Sequence, residues 1–193
     1  IDVSDALRRT FFNKINSCIL TSATLKVKNS FDYFLRRVGL DDNGSVVSKE
    51  FLSPFYYNEQ VTYFQYGGSK DLSNSPTGIG DVVYHLHNLF NKRIMVLFTS
   101  IRTLTDTAKY LRALPNGRNL PLFAQVRGAS RPSTIKGMHQ TSNGILFGTN
   151  SFWEGVDLPG ELLEILVLVK LPFDVPSEPL VRSYSEHVNR MGG

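Results

Sequence analysis

Ile94-Met95-Val96-Leu97-Phe98 is five apolar residues with no polar interruption. The run is too short for a buried helix, and it lacks the alternation of a strand that faces water on one side. It reads as a strand covered on both faces, the arrangement of a parallel sheet sandwiched between helices. Four further runs have the same character: Cys18-Ile19-Leu20-Thr21-Ser22, Pro121-Leu122-Phe123-Ala124-Gln125, Gly144-Ile145-Leu146-Phe147-Gly148 and Ile165-Leu166-Val167-Leu168-Val169. Residues 61–66, Val-Thr-Tyr-Phe-Gln-Tyr, read as a strand from their β-branched and aromatic content.

Between the runs, apolar residues recur at helical spacing. Phe31, Phe34, Leu35 and Val38 precede Gly39, a helix stop. Ile79, Val82, Val83, Leu86 and Phe90 mark a second helix. Ile101, Leu104, Ala108, Leu111 and Leu114 mark a third, which Pro115-Asn116-Gly117 ends. Ser130-Arg131-Pro132 opens another, with proline in its first turn. A last helix starts near Ser177 and carries Leu180, Val181, Tyr184 and Val188. Strands separated by helices predict an α/β fold, a parallel sheet with helices on both faces. Such sheets bind ligands beyond the carboxyl ends of their strands.

Several chemistries have no residues to carry them. No Gly-Lys pair occurs, so the phosphate loop GxxxxGK[ST] is missing. There is no GxGxxG after a strand, no GxSxG elbow and no Asp-Glu-x-Asp/His box. The one cysteine, Cys18, excludes a disulfide within the chain and a four-cysteine metal site. His85 and His87 stand two apart on a predicted helix and face different ways. They read, with His139 and His187, as surface or capping histidines, and no metal site is expected. Asp41-Asp42 beside Asn43-Gly44 is turn chemistry. No apolar run approaches the ~18 residues of a membrane span, and no signal-peptide pattern opens the chain. A reducing, cytoplasmic setting and no membrane partner are therefore the expectations. Residues 1–149 hold 18 Lys and Arg against 10 Asp and Glu, whereas 150–193 hold 3 against 7. That asymmetry suits a phosphate-facing surface or an ordinary solvated one.

The strand ends carry the remaining signals. Thr99-Ser100 follows a strand, with Arg102 in the next helical turn; hydroxyls, free helix amides and a guanidinium make a phosphate seat. Ser100 also suits a helix cap. Arg127, in Gln125-Val126-Arg127-Gly128, serves either a phosphate or solvent. Thr149-Asn150-Ser151-Phe152-Trp153-Glu154-Gly155-Val156-Asp157-Leu158-Pro159-Gly160 is the densest stretch. Gly155 permits close approach to the backbone, and Asp157 suits a sugar hydroxyl. Trp153, the sole tryptophan, is a packing anchor or a stacking surface. Phe51, Phe55, Tyr56, Tyr57, Tyr63, Phe64 and Tyr66 suit base stacking, although packing into the core is the stronger reading.

Ser151-Phe152-Trp153-Glu154-Gly155-Val156-Asp157-Leu158-Pro159-Gly160 resembles motif V of the DinG/XPD branch of superfamily-two DNA helicases. Thr21-Ser22-Ala23-Thr24-Leu25 resembles motif III, and Val96-Leu97-Phe98-Thr99-Ser100 resembles motif IV. Ser53-Pro54-Phe55-Tyr56-Tyr57 with Gln60 resembles the family's SPF segment. Lys170-Leu171-Pro172-Phe173 and Pro176-Ser177-Glu178-Pro179 resemble the stretch after motif V in bacterial DinG proteins. The resemblance implies two RecA-like lobes with ATP between them. Residues 1–25 would end the first lobe and carry motif III; 26–193 would be the second lobe, stopping before motif VI. It implies that Glu154, Gly155 and Asp157 bind ATP from the second side. Thr99, Ser100, Arg102, Arg127 and Thr149 would line single-stranded DNA, and Ser22 and Thr24 would couple the two sites. ATP and Mg2+ would be held with the missing first lobe, which is also a partner. This chain alone would not hydrolyse ATP, and the parent would serve DNA repair. The alternative is a nucleic-acid-binding or interaction scaffold from a decayed helicase, with or without a fused exonuclease.

Overall fold

The structure is a computed structural model that describes residues 2–41, 44–68, 71–125, 131–153, 155–173 and 178–190. The chain divides into two compact units: Ile1–Gln65 with Pro179–Gly193, and Tyr66–Glu178.

The first unit opens with helix α1 (Ser4–Thr10), followed by α2 (Asp32–Val38) and the single-turn α3 (Tyr57–Gln60). Helix α2 stops where its sequence says it should. Gly39 takes a left-handed φ of 78°, and its N–H donates to the carbonyls of Arg36 and Leu35. Arg8 ties α1 to this corner, donating from Nε to the Gly39 carbonyl at 2.8 Å and pairing with Asp41 at 3.2 Å. Two predicted strands of this unit are absent. Residues 18–22 and 61–66 are irregular, with Ile19 92% exposed and Tyr63 and Phe64 on the surface. Strand propensity expresses a fit to a pleated, paired surface. Among the described residues neither segment has a strand beside it. The aromatic cluster is likewise exposed, from Phe51 through Tyr66, rather than packed in a core.

The second unit contains α4 (Pro76–Phe90), β1 (Ile94–Leu97), α5 (Ile101–Ala113), β2 (Leu122–Ala124), α6 (Arg131–His139), β3 (Ile145–Gly148) and β4 (Ile165–Leu168). The strands form one parallel sheet in the order β2-β3-β1-β4, with Ile94 opposite both Ile145 and Ile165. The predicted α/β architecture is present. Side chains alternate across the sheet as strand geometry requires. Ile94, Val96 and Phe98 with Ile145 and Phe147 meet Ile79 and Val83 of α4 and Leu104, Ala108 and Leu111 of α5. Met95, Leu97 and Leu146 turn the other way, onto Met138 and Ile135 of α6 and onto Phe152 and Trp153. Both faces of β1 are therefore covered, which is why its sequence is uninterrupted. The edge strand β4 leaves Leu166 and Leu168 half exposed.

Among the described residues no α-helix joins β3 to β4. Two short 3-10 turns, Asn150–Phe152 and Gly160–Leu162, lie in this connection instead, and Val156, Leu158 and Leu163 pack against the second face where a helix would otherwise lie. Arg93 anchors the amino end of the sheet, with Nε on the Thr141 carbonyl and a terminal nitrogen on the Glu161 carbonyl, both at 2.7 Å. Helix α7 (Pro179–Arg190) belongs to the first unit and starts two residues later than its sequence suggests. Among the described histidine side chains one departs from its surface reading: His87 is buried on α4, while His85 and His139 are exposed; the side chain of His187 lies outside those described. Among the described residues no helix is long and apolar enough to cross a membrane.

Candidate nucleotide and nucleic-acid site

Because the four strands are parallel, their carboxyl ends share one edge of the sheet. In the spatial order β2, β3, β1 and β4, the strands run out into Gln125, into Thr149, into Phe98 and Thr99, and into Val169 and Lys170. The ladder runs to the rim: the Phe98 N–H donates to the Gly148 carbonyl, and the Gln125 N–H to the Phe147 carbonyl, both at 2.9 Å. The backbones that launch these residues are thereby fixed.

On the β1 side, Ser100 caps α5, its hydroxyl accepting from the Thr103 N–H at 3.3 Å. Thr99 is exposed beside it. Arg102 projects from the first turn, 93% exposed and 3.9 Å from Asp106, so its guanidinium is open to a phosphate. Here the structure brings together three of the residues singled out by sequence.

On the β3 side, Thr149 is buried and its hydroxyl donates inward, to Gln125 Oε1 at 2.9 Å. The Thr149 N–H donates to the same oxygen at 2.9 Å, and Gln125 Nε2 donates to the Ser151 hydroxyl at 2.9 Å. Trp153 is the anchor of its two readings: it is partly buried and its Nε1 donates to the Phe98 carbonyl at 3.3 Å, tying the loop to the end of β1. Gly155 has φ of +66°, a conformation that glycine adopts without strain. A Cβ there would meet nothing closer than 3.5 Å, so the backbone angle rather than space calls for glycine. Arg131, the first residue of α6, donates to the Gly155 carbonyl and lies over the Phe152 ring at 5.7 Å. An open groove of about 620 Å3 runs between α6 and this loop. Arg131, Lys136, His139, Gly155 and Asp157 line it, and Asp157 is exposed. Cations with one carboxylate suit a ligand that bears both phosphate and hydroxyl groups.

Glu154 and Arg127 lie outside the described residues. Ser22 and Thr24 belong to the first unit, where both are exposed and their hydroxyls hydrogen-bond each other at 3.2 Å. Sequence reasoning passed over Gln125 and Arg131. The strand-end rule points at Gln125, but its partners are 24 and 26 residues away and no local pattern names them. Among the described residues no cluster of histidine, cysteine, aspartate and glutamate could hold a metal ion.

The chain matches the family described as the helicase C-terminal domain over residues 83–193. It is similar along its whole length to the 3'-5' exonuclease DinG of Bacillus subtilis, with 32% identity over 198 residues that make up 21% of that protein. The ATP-dependent DNA helicase YoaA of Haemophilus influenzae is 30% identical over 195 residues, 29% of its length. Its namesake in Escherichia coli is 30% identical over 196 residues, 30% of its length. All of this chain is covered in each comparison, whereas the chain spans less than a third of each of these relatives.

Proposed function

The chain belongs to the helicase C-terminal domain family, and on that premise we propose that it is the second RecA-like lobe of an ATP-dependent DNA helicase of DinG type. It would supply one wall of the ATP cleft and part of the track for single-stranded DNA. The observation that carries this reading is that Thr99, Ser100, Arg102 and Thr149 lie at one carboxyl edge of a parallel sheet, with Trp153 hydrogen-bonded to Phe98 at the end of β1 and Gly155 to Arg131 at the start of α6. Phosphates and a nucleotide are bound at such edges.

In this reading Arg102 and Thr99 meet the DNA backbone, with Ser100 holding the helix that carries Arg102. Arg127 extends the track. Thr149 contributes from inside, since its hydroxyl is engaged by Gln125. Gly155 and Asp157 face the nucleotide, with Glu154 beside them, and Asp157 accepts a hydrogen bond from a sugar hydroxyl. The residues fit one side of a nucleotide only. They offer neither a phosphate loop nor metal-binding carboxylates, which a first lobe would bring together with Mg2+. Residues 1–25 would be the end of that lobe, and Ser22 and Thr24 would link ATP turnover to DNA. Phosphoryl transfer depends on positioning and charge stabilisation around the γ-phosphate. The chain by itself is accordingly expected to hydrolyse no ATP.

The test is binding of a single-stranded oligonucleotide to this chain across a salt series, repeated with Arg102→Ala. The expected result is salt-sensitive binding, weakened several-fold in the variant, with a salt slope smaller by about 0.7 for the one lost phosphate contact. Absence of binding at low salt, or an Arg102→Ala variant indistinguishable from wild type, would remove the DNA track from this edge.

A further inference from the structure

We propose that Gln125 is a positioning residue whose side-chain amide sets the path of residues 149–153, the stretch that follows β3 and carries Trp153. The inference rests on the function proposed above only where ligand binding is concerned. The brace itself stands on geometry.

Gln125 is well placed to act as a brace. Its own N–H continues the β2–β3 ladder, so the root of the side chain is held by the sheet. Its Oε1 accepts twice at 2.9 Å, from the N–H and the hydroxyl of Thr149. A carbonyl oxygen has two lone pairs, and both are used. Its Nε2 reaches two residues further and donates to Ser151 at 2.9 Å. Thr149 is the first residue beyond β3 and is 5% exposed, so without Gln125 its N–H would be a buried donor lacking that partner. A buried donor left unpaired is costly, which makes the amide a requirement of this loop path.

The far end of the loop is held from α6, where Arg131 donates to the Gly155 carbonyl and covers Phe152. Trp153 pins the middle to the end of β1. Of these three holds, the one at Gln125 fixes where the loop begins. Glutamate can replace the amide in this role. It still accepts both Thr149 hydrogens, and the Ser151 hydroxyl can donate to it instead of accepting. Alanine can do neither.

The experiment compares Gln125→Ala and Gln125→Glu in this chain. Trp153 is the chain's only tryptophan and sits in the loop, so its emission reports loop position directly. In Gln125→Ala the Thr149 amide should exchange with solvent about tenfold faster, in keeping with loss of one buried hydrogen bond. Trp153 emission should shift to the red, and single-stranded DNA affinity should fall several-fold. Gln125→Glu should restore all three, which a variant that had only lost packing volume would not explain. Unchanged exchange and emission in Gln125→Ala, or a glutamate variant as impaired as alanine, overturns the proposal. Should Gln125→Ala not fold, Ser151→Ala serves in its place. It removes one contact at an exposed residue, and an unchanged Trp153 emission there counts against the brace. If wild type binds no single-stranded DNA, the helicase-lobe reading fails, while exchange and emission still decide the role of Gln125.

Discussion

His87 shows how a single buried side chain ties this domain to pH. Burial on α4 pushes its pKa below the ordinary 6.5, and a hydrogen bond with the Asn143 backbone opposes the shift only in part. Nδ1 has no partner within the described residues. The folded state thus favours the neutral imidazole. As pH falls below about 6.5, the unfolded chain takes up a proton that the folded chain resists, so stability is present above that pH and declines below it. The denaturation midpoint should therefore drop between pH 7.5 and 5.5, and His87→Leu should flatten that part of the profile. At Gly155 the constraint is the backbone. Alanine in its left-handed conformation should cost on the order of 1 kcal/mol in thermal or urea unfolding, because φ there is +66°. The sequence marked Gly155 as a place of close approach to the backbone, whereas the structure leaves space for a Cβ there and requires glycine through its positive φ. His87 was not legible, since helical spacing separates it from His85 without saying which of the two meets the core.

At the scale of elements, the helices and strands of the second unit follow from local chemistry. Helix α5 begins at a hydroxyl cap, and its cap at the other end, Leu114, is extended because Pro115 follows. Ser100→Ala should lower unfolding free energy by about 1 kcal/mol. DNA affinity would also suffer if the cap holds Arg102 in place. A core strand gives a larger effect. Phe147 is fully buried, with its ring centroid 4.9 Å from that of Phe98. Phe147→Ala should cost about 3–5 kcal/mol, read as a shift of the urea midpoint at constant slope. The residues at 18–22 and 61–66 have the composition of strands and form none. A helix satisfies its backbone internally, but a strand needs a neighbour. Composition therefore specifies helices more securely than strands.

The whole molecule is divided between a unit with a two-sided core and a unit rich in exposed apolar residues. Ile79, Val83, Val96, Phe98, Leu104 and Phe147 make one continuous core in the second unit. The first unit has only Gly39 fully buried among its described residues, and it leaves Phe51, Leu52, Tyr63 and Phe64 mostly exposed. Limited chymotrypsin digestion should cut first within residues 51–66 and leave a resistant fragment containing the sheet, identified by mass. Early cleavage inside β1 or β3 would contradict that division.

The sequence by itself determined the α/β class, the order of the elements in the sheet-bearing unit and where its strands end, because apolar periodicity, glycine, proline and capping residues act over a few positions. It also determined the motif-bearing loop, whose glycine and aspartate lie within a single run. Tertiary structure decided what that loop rests on. Gln125 reaches Thr149 and Ser151, Trp153 reaches Phe98, and Arg131 reaches Gly155. These partners are joined only when β2, β3, β1 and α6 are packed, so their pairing is a property of the folded sheet and cannot be read along the chain. The same reason governs the strand-like segments that stayed irregular. Pairing is non-local, and strand propensity supplies only one of the two edges it needs.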